Sequence, residues 1–148
     1  RGRENHMTRT LMIGPLVVIA ALSACAPVLP PLNGPGALDL QHWQVATLDV
    51  PQPVSCSSIR KVNSNSDETT IFEGDRRDYA DHFRLTPGRY VIAYSVWYGH
   101  AAKVSRADTV DLVAGHVYRV RSKKTFFTRK VTMWIEDRET REVLAGNR

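Results

Sequence analysis

An all-β fold, a single antiparallel β-sandwich, is the class this sequence predicts, and three observations carry the prediction. Apolar and β-branched residues come in short runs, turn-forming residues separate the runs, and apolar residues almost nowhere recur at the spacing of an amphipathic helix. So many short strands in a chain of 148 residues point to a sandwich or barrel, in which each strand buries one face. The composition agrees, because 43% hydrophobic and 24% charged residues are ordinary for a globular chain and carry no bias toward disorder or repeats.

Taken in order, the candidate strands are residues 42–50, 54–62, 69–72, 81–86, 89–98, 109–113, 116–121, 126–137 and 142–144. Pro51, Pro53, Asn63-Ser64-Asn65, Gly74-Asp75, Pro87-Gly88, Gly115 and Ser122-Lys123-Lys124 punctuate them. Only residues 75–81 suggest a helical turn. Pro87 presets its own φ and Gly88 supplies a positive one, which suits a type II turn between two strands, and Gly115 repeats the logic. Residues 135–144 read as a hairpin across a polar turn. In 89–98 the even positions Tyr90, Ile92, Tyr94, Val96 and Tyr98 share one face, and Val91, Ala93, Ser95 and Trp97 share the other. Both faces are largely apolar, so this strand is expected at the centre of a sheet with its aromatics in the core. The competing reading, for these rings and Trp134, is an aromatic strip that binds sugar or peptide.

The N-terminal segment has a different character. Arg9 precedes an uncharged run, residues 11–24, reading LMIGPLVVIAALSA, which is the export-signal pattern of a positive region, an apolar core and small residues. The run is shorter than the roughly 20 apolar residues of a membrane span. A buried core helix would also suit its length, but Gly14, Pro15 and the Pro-rich stretch that follows oppose that reading. Residues 25–38, CAPVLPPLNGPGAL, hold four prolines and two glycines and are expected to form an extended stem. Val28, Leu29 and Leu32 packing along the domain edge is the other reading. The expected organisation is a signal peptide over 1–24, the stem over 25–38, and the sandwich over 39–148. Residues 1–6 precede Met7 and are read as upstream of the true start or as a cloning scar.

Leu22-Ser23-Ala24-Cys25 resembles the lipobox of bacterial lipoproteins. The resemblance implies cleavage between Ala24 and Cys25, a diacylglyceryl thioether on Cys25, and acylation of the new amine. A thiolate is the strong nucleophile that such an attachment needs, and two or more acyl chains hold a protein stably on a membrane. Ala26, where enterobacterial inner-membrane lipoproteins carry Asp, implies the periplasmic face of the outer membrane of a Gram-negative cell. Further on, Leu85-Thr86-Pro87-Gly88-Arg89-Tyr90, then Leu112-Val113-Ala114-Gly115-His116-Val117-Tyr118, then the 135–144 hairpin resemble small bacterial lipoproteins and periplasmic proteins with a transthyretin-like or related Ig-like β-sandwich. That likeness covers about residues 83–146 and implies a fold, with no activity attached. Residues 41–73 carry no likeness of this kind.

Catalytic patterns are absent from the mature chain. Cys56 stands in a strand pattern with no partnering histidine signature, which favours a buried, inert thiol over a nucleophile. His42, His82, His100 and His116 lack metal-ligand spacing, so no metal and no cofactor are expected. Asp75, Asp78 and Asp81 recur every third residue, a spacing that suits oxygen ligands for calcium on a short helix or loop, but Arg76, Arg77 and Arg84 among them favour a salt-bridged, solvated surface. Ser57 and Ser58 lack the G-x-S-x-G context of a hydrolase, and no glycine-rich phosphate loop exists. Arg119, Arg121, Lys123, Lys124, Arg129 and Lys130 gather around one expected hairpin, offering contact with anionic lipid, lipopolysaccharide phosphates or an acidic envelope protein. Protection of an open strand edge is the competing explanation. Without Arg1, Arg3, Arg9 and Glu4 the mature chain has 17 Lys and Arg against 14 Asp and Glu, a mild excess that does not indicate nucleic acid.

The functional expectation is therefore a lipid-anchored, outer-membrane, non-catalytic binding or assembly module. A small envelope hydrolase or lysozyme-inhibitor-like protein acting on peptidoglycan is the alternative. Replacing Cys25 with Ser should leave an unlipidated precursor that no longer partitions into the detergent phase. Its retention in outer membranes after a high-salt wash would contradict lipid anchoring.

Overall fold

A computed structural model describes residues 32–74, 81–98, 102–125 and 130–148. The expected signal peptide, Cys25 and the first half of the stem lie outside the described residues, as do Asp75, Asp78, His100 and Arg129. Ten strands form two sheets: β1 (Leu32–Asn33), β2 (Ala46–Val50), β3 (Val54–Val62), β4 (Glu68–Glu73), β5 (Asp81–Leu85), β6 (Gly88–Tyr98), β7 (Ala102–Leu112), β8 (Val117–Thr125), β9 (Lys130–Asp137) and β10 (Val143–Gly146). The larger sheet runs β1-β5-β2-β8-β9-β10 and the smaller runs β4-β3-β6-β7. Among the described residues eight pairings join the strands: β1 with β5 and β2 with β8 are parallel, and the other six are antiparallel.

Both sheets turn an apolar face inward. Leu48, Phe83, Leu85, Tyr118, Val120 and Ile135 from the larger sheet meet Ile59, Tyr90, Ile92, Tyr94, Val96 and Leu112 from the smaller one. The Phe72 and Phe83 rings, one from each sheet, lie 5.0 Å apart. In β6 the even positions Tyr90, Ile92, Tyr94 and Val96 are buried, and the strand sits between β3 and β7, as its two apolar faces require. The aromatic strip is thus core at Tyr90 and Tyr94 and partly exposed at Trp97 and Trp134.

The glycine-marked turns carry the chain from one sheet to the other. Pro87 and Gly88 link β5 of the larger sheet to β6 of the smaller, and the segment around Gly115 links β7 back to β8. Gly88 has the expected positive φ, but at +147°, where a type II turn needs about +80°. The flanking strands are not paired neighbours, so no tight-turn hydrogen bond closes there. A buried tyrosine clamps each crossing instead. The Tyr90 hydroxyl donates to the Thr86 carbonyl at 2.6 Å, and the Tyr118 hydroxyl accepts from the Val113 N–H at 2.9 Å. These are tyrosine corners, in which a core ring bonds back to the chain a few residues upstream.

Several boundaries differ from the sequence expectation for physical reasons. The strand expected over 42–50, β2, begins at Ala46, because His42–Gln44 form a short 3-10 turn in which the Gln41 N–H donates to the Gln44 side chain at 2.9 Å. Strand β7 starts at Ala102, ahead of the expected residue 109. Its first half carries Lys103, Arg106 and Asp108, which break the apolar alternation, while pairing with β6 along its whole length holds it extended. Leu32 and Asn33, expected in the stem, pair with β5, and Leu32 packs on the core. The Gly34 N–H then donates to the Arg84 carbonyl, and Ala37 is buried. Asp81, expected in a solvated surface or calcium loop, is buried in β5.

Gly88→Val should cost about 1–3 kcal/mol, since a β-branched residue is strained at positive φ whatever space surrounds it. Equilibrium denaturation checks this, and an unchanged midpoint and slope would show that the crossing tolerates an ordinary side chain.

Candidate basic outer face

The outward side chains of the larger sheet form rows across its strands, because register places them opposite one another. His82 on β5 faces Asp49 on β2, Asp49 faces Arg119 on β8, and Arg119 faces Glu136 on β9. Charges alternate along this row. His82 Nδ1 lies 2.8 Å from Asp49 Oδ1, and Arg119 donates to Asp49 Oδ2 at 3.4 Å. Opposite charges on neighbouring strands stabilise a sheet modestly, and here they also offset the desolvation of the nearly buried Asp49.

Glu136 is the organising group. Its side chain is only 5% exposed, yet it accepts hydrogen bonds from Arg121 Nε at 2.9 Å and from the Trp134 indole at 2.8 Å. Arg141 and Arg148 approach it at 3.4 Å each. Burial raises its pKa, but the bonds from Trp134 and Arg121 and the charges of Arg121 and Arg148 outweigh burial and hold the carboxyl below the ordinary glutamate range. Arg141 reaches Glu136 because the β9–β10 turn is built on Asp137. That carboxylate accepts from the Glu139 and Thr140 N–H groups at 2.8 and 3.0 Å, and Arg141 follows with φ of +62°. Burial raises the Asp137 pKa, while the Thr140 N–H, the His116 ring 2.6 Å away and the Glu139 N–H bring it below the usual aspartate value.

Around Glu136 lies a shallow groove of about 430 Å³, lined by Arg121, Ser122, Lys123, Trp134, Arg141 and Arg148. Arg141 and Arg148 are more than half exposed, so each keeps donors for an outside anion after touching Glu136.

The structure divides the basic residues singled out in the sequence. Arg119 is partly buried and committed to Asp49. Arg121 lines the groove, and Lys123 extends the same face of β8. Lys130 pairs in register with Thr125 at the exposed end of the ribbon, and Lys124 is exposed on the opposite face of β8. Arg129 is outside the described residues. Because β8 lies between β2 and β9, Arg119 protects no edge, whereas β2 pairs with β8 only as far as Arg119, so Lys123 and Lys124 border an edge that no strand among the described residues covers. Arg141 and Arg148 escaped the sequence reading, being distant in the chain; the legible signal was the hairpin that brings the end of the sequence back over β9.

Other candidate chemistry is not assembled. Cys56 is fully buried, and burial pushes its thiol pKa well up. His82 and His116 each meet a carboxylate, but no hydroxyl or thiol completes a nucleophilic relay on either ring among the described residues. Among the described residues no group of three or more His, Cys, Asp or Glu is placed to hold a metal, and no helix is long and apolar enough to cross a membrane.

The fold and this face define the chain as an all-β sandwich with a basic, arginine-lined outer surface. No known protein family, curated protein or solved structure matches it.

Glu136→Gln should destabilise the domain by about 1–3 kcal/mol at pH 7, the range for hydrogen bonds to a charged group. Since the folded carboxyl has a lowered pKa, its contribution is present above the ordinary glutamate pKa and disappears as pH falls through the lowered value. Wild type and variant should therefore converge in chemical denaturation as the pH is lowered stepwise below the ordinary glutamate range and through the lowered value. A difference that persists undiminished there would contradict the charge-based account.

Proposed function

We propose that this chain is a non-catalytic binding module of the bacterial envelope, tethered to the outer membrane through a lipidated Cys25, and that the outer face of its larger sheet engages anionic envelope components. The tether rests on the export-like run of residues 11–24 and the lipobox-like Leu22-Ser23-Ala24-Cys25. The observation that carries the binding role is the gathering of Arg121, Lys123, Arg141 and Arg148 around the single carboxylate of Glu136 in one open groove. Phosphate and carboxylate groups are suited to such a surface, because guanidinium forks present paired donors and the partly buried Trp134 ring provides an adjoining apolar wall. A lipid anchor would supply the lasting attachment, leaving the groove to make weak, reversible and salt-sensitive contacts.

Each basic residue near an anionic membrane contributes about 1 kcal/mol of attraction, whereas an exposed charge change alters stability by no more than about 0.5 kcal/mol. Converting Lys123 and Lys130, which register places on the outer face, to Glu should thus preserve the fold while weakening co-sedimentation with phosphatidylglycerol vesicles, and the deficit should shrink as salt rises. Wild-type protein lacking lipid that ignores these vesicles at low salt would refute the proposal and leave edge protection as the role of those lysines.

A further inference from the structure

We propose that two copies of this chain pair through β7, antiparallel and in one register, joining their smaller sheets across a two-fold axis at Ala107. Strand β7 is the long outer strand of that sheet, hydrogen-bonded to β6 on one side and, among the described residues, to no strand on the other, although β10 of the larger sheet packs close to it. Such an edge invites another strand unless its side chains forbid it. Here they select a partner, because the sequence of β7 is self-complementary when reversed.

About Ala107, Arg106 comes opposite Asp108 of the second copy, Ser105 opposite Thr109, Val104 opposite Val110, and Lys103 opposite Asp111. Each pair occurs twice by symmetry, as an isologous interface requires. Opposite charges, hydroxyl pairs and β-branched pairs are the cross-strand combinations that stabilise antiparallel sheets. The faces agree as well, since residues directly opposite in an antiparallel pair project to the same side. Val104 is 37% exposed in the single chain, and this pairing sets it beside a second valine.

The alternative registers are disfavoured by the same residues. A shift that brings Arg106 opposite itself, or Asp108 opposite itself, places like charges together at the centre of the interface. A shift of a single pairing step exchanges the inner and outer faces. In the single chain Arg106 Nε already lies 2.6 Å from Asp108, to which the Tyr94 hydroxyl also donates at 2.5 Å, so both charged groups are held in place at the strand centre. Asp111 is held by Arg89, and Lys103 lies over the Trp97 ring at 5.4 Å. Pairing would extend this into a charge row of Arg89, Asp111 and the second copy's Lys103. The other outer strand of the sheet, β4, has Glu68 and Glu73 at its two ends, which oppose each other in antiparallel self-pairing.

The test uses the full-length chain in density-matched detergent, followed by sedimentation equilibrium. Wild type should show a reversible monomer–dimer equilibrium. Lys103→Asp alone and Asp111→Lys alone each place like charges at both symmetry-related ends, and should weaken the homodimer about tenfold or more. An equimolar mixture of the two variants should regain association, because each end then joins Asp to Lys; this recovery also shows that both variants are folded. In parallel, Ala107→Cys should form a disulfide-linked dimer under mild oxidation while Thr109→Cys does not. A wild type that stays monomeric at all concentrations, variants that self-associate like wild type, or cross-linking at position 109 in place of 107 would overturn the proposal.

Discussion

Two crossings between the sheets, each closed by a core tyrosine, are the constraint on which the rest of the architecture depends. At each, the chain must leave one sheet, turn through a backbone conformation that suits glycine, and enter the facing sheet with its apolar side inward. The Tyr90 and Tyr118 rings are almost fully buried, while their hydroxyls bind backbone at Thr86 and Val113. One residue thus serves core packing and crossing geometry together, and a buried hydroxyl with its partner avoids the desolvation cost of a lone polar group. The two sequence motifs around Pro87-Gly88 and Gly115 are one device used twice, once in each direction between the sheets.

From these crossings follows the position of the basic face. The second crossing delivers β8 beside β2 in parallel, which sets Arg119 opposite Asp49, and the β8–β9 pairing then sets Arg119 opposite Glu136. A row of alternating charge is the result. Glu136 occupies its centre of gravity because three arginines and an indole converge on it, and the arginines keep outward donors that the carboxylate cannot use. The buried acid therefore orients an otherwise flexible cationic surface, which reduces the conformational freedom that binding an anion would remove.

Much of the fold was legible because strand and turn signals are local. The bounds of β3 coincide with the expected 54–62, the doubly apolar pattern of β6 placed it inside a sheet, and the hairpin after Ile135 was visible in its polar turn. The first half of β7 was missed because its inner face carries Arg106 and Asp108 where alternation calls for apolar residues. Leu32 and Asn33 lie where proline and glycine dominate the sequence, which points to a stem, although Leu32 packs on the core and Ala37 further along the segment is buried. The candidate face was half legible. Lys123, Arg121 and Lys130 cluster in sequence, whereas the convergence of Arg141 and Arg148 on Glu136 depends on hairpin geometry that no local pattern encodes.

The most direct measurement of the central claim is amide hydrogen exchange at Val113 in wild type and in Tyr118→Phe. The phenylalanine ring preserves the apolar contacts and removes only the hydroxyl that accepts the Val113 N–H. The account predicts that Val113 loses its protection in the variant, with a stability loss of about 1 kcal/mol, while the amides of the β8–β9 pairing stay protected. An equally protected Val113 and unchanged stability in Tyr118→Phe would contradict the claim that the tyrosine hydroxyl closes the crossing.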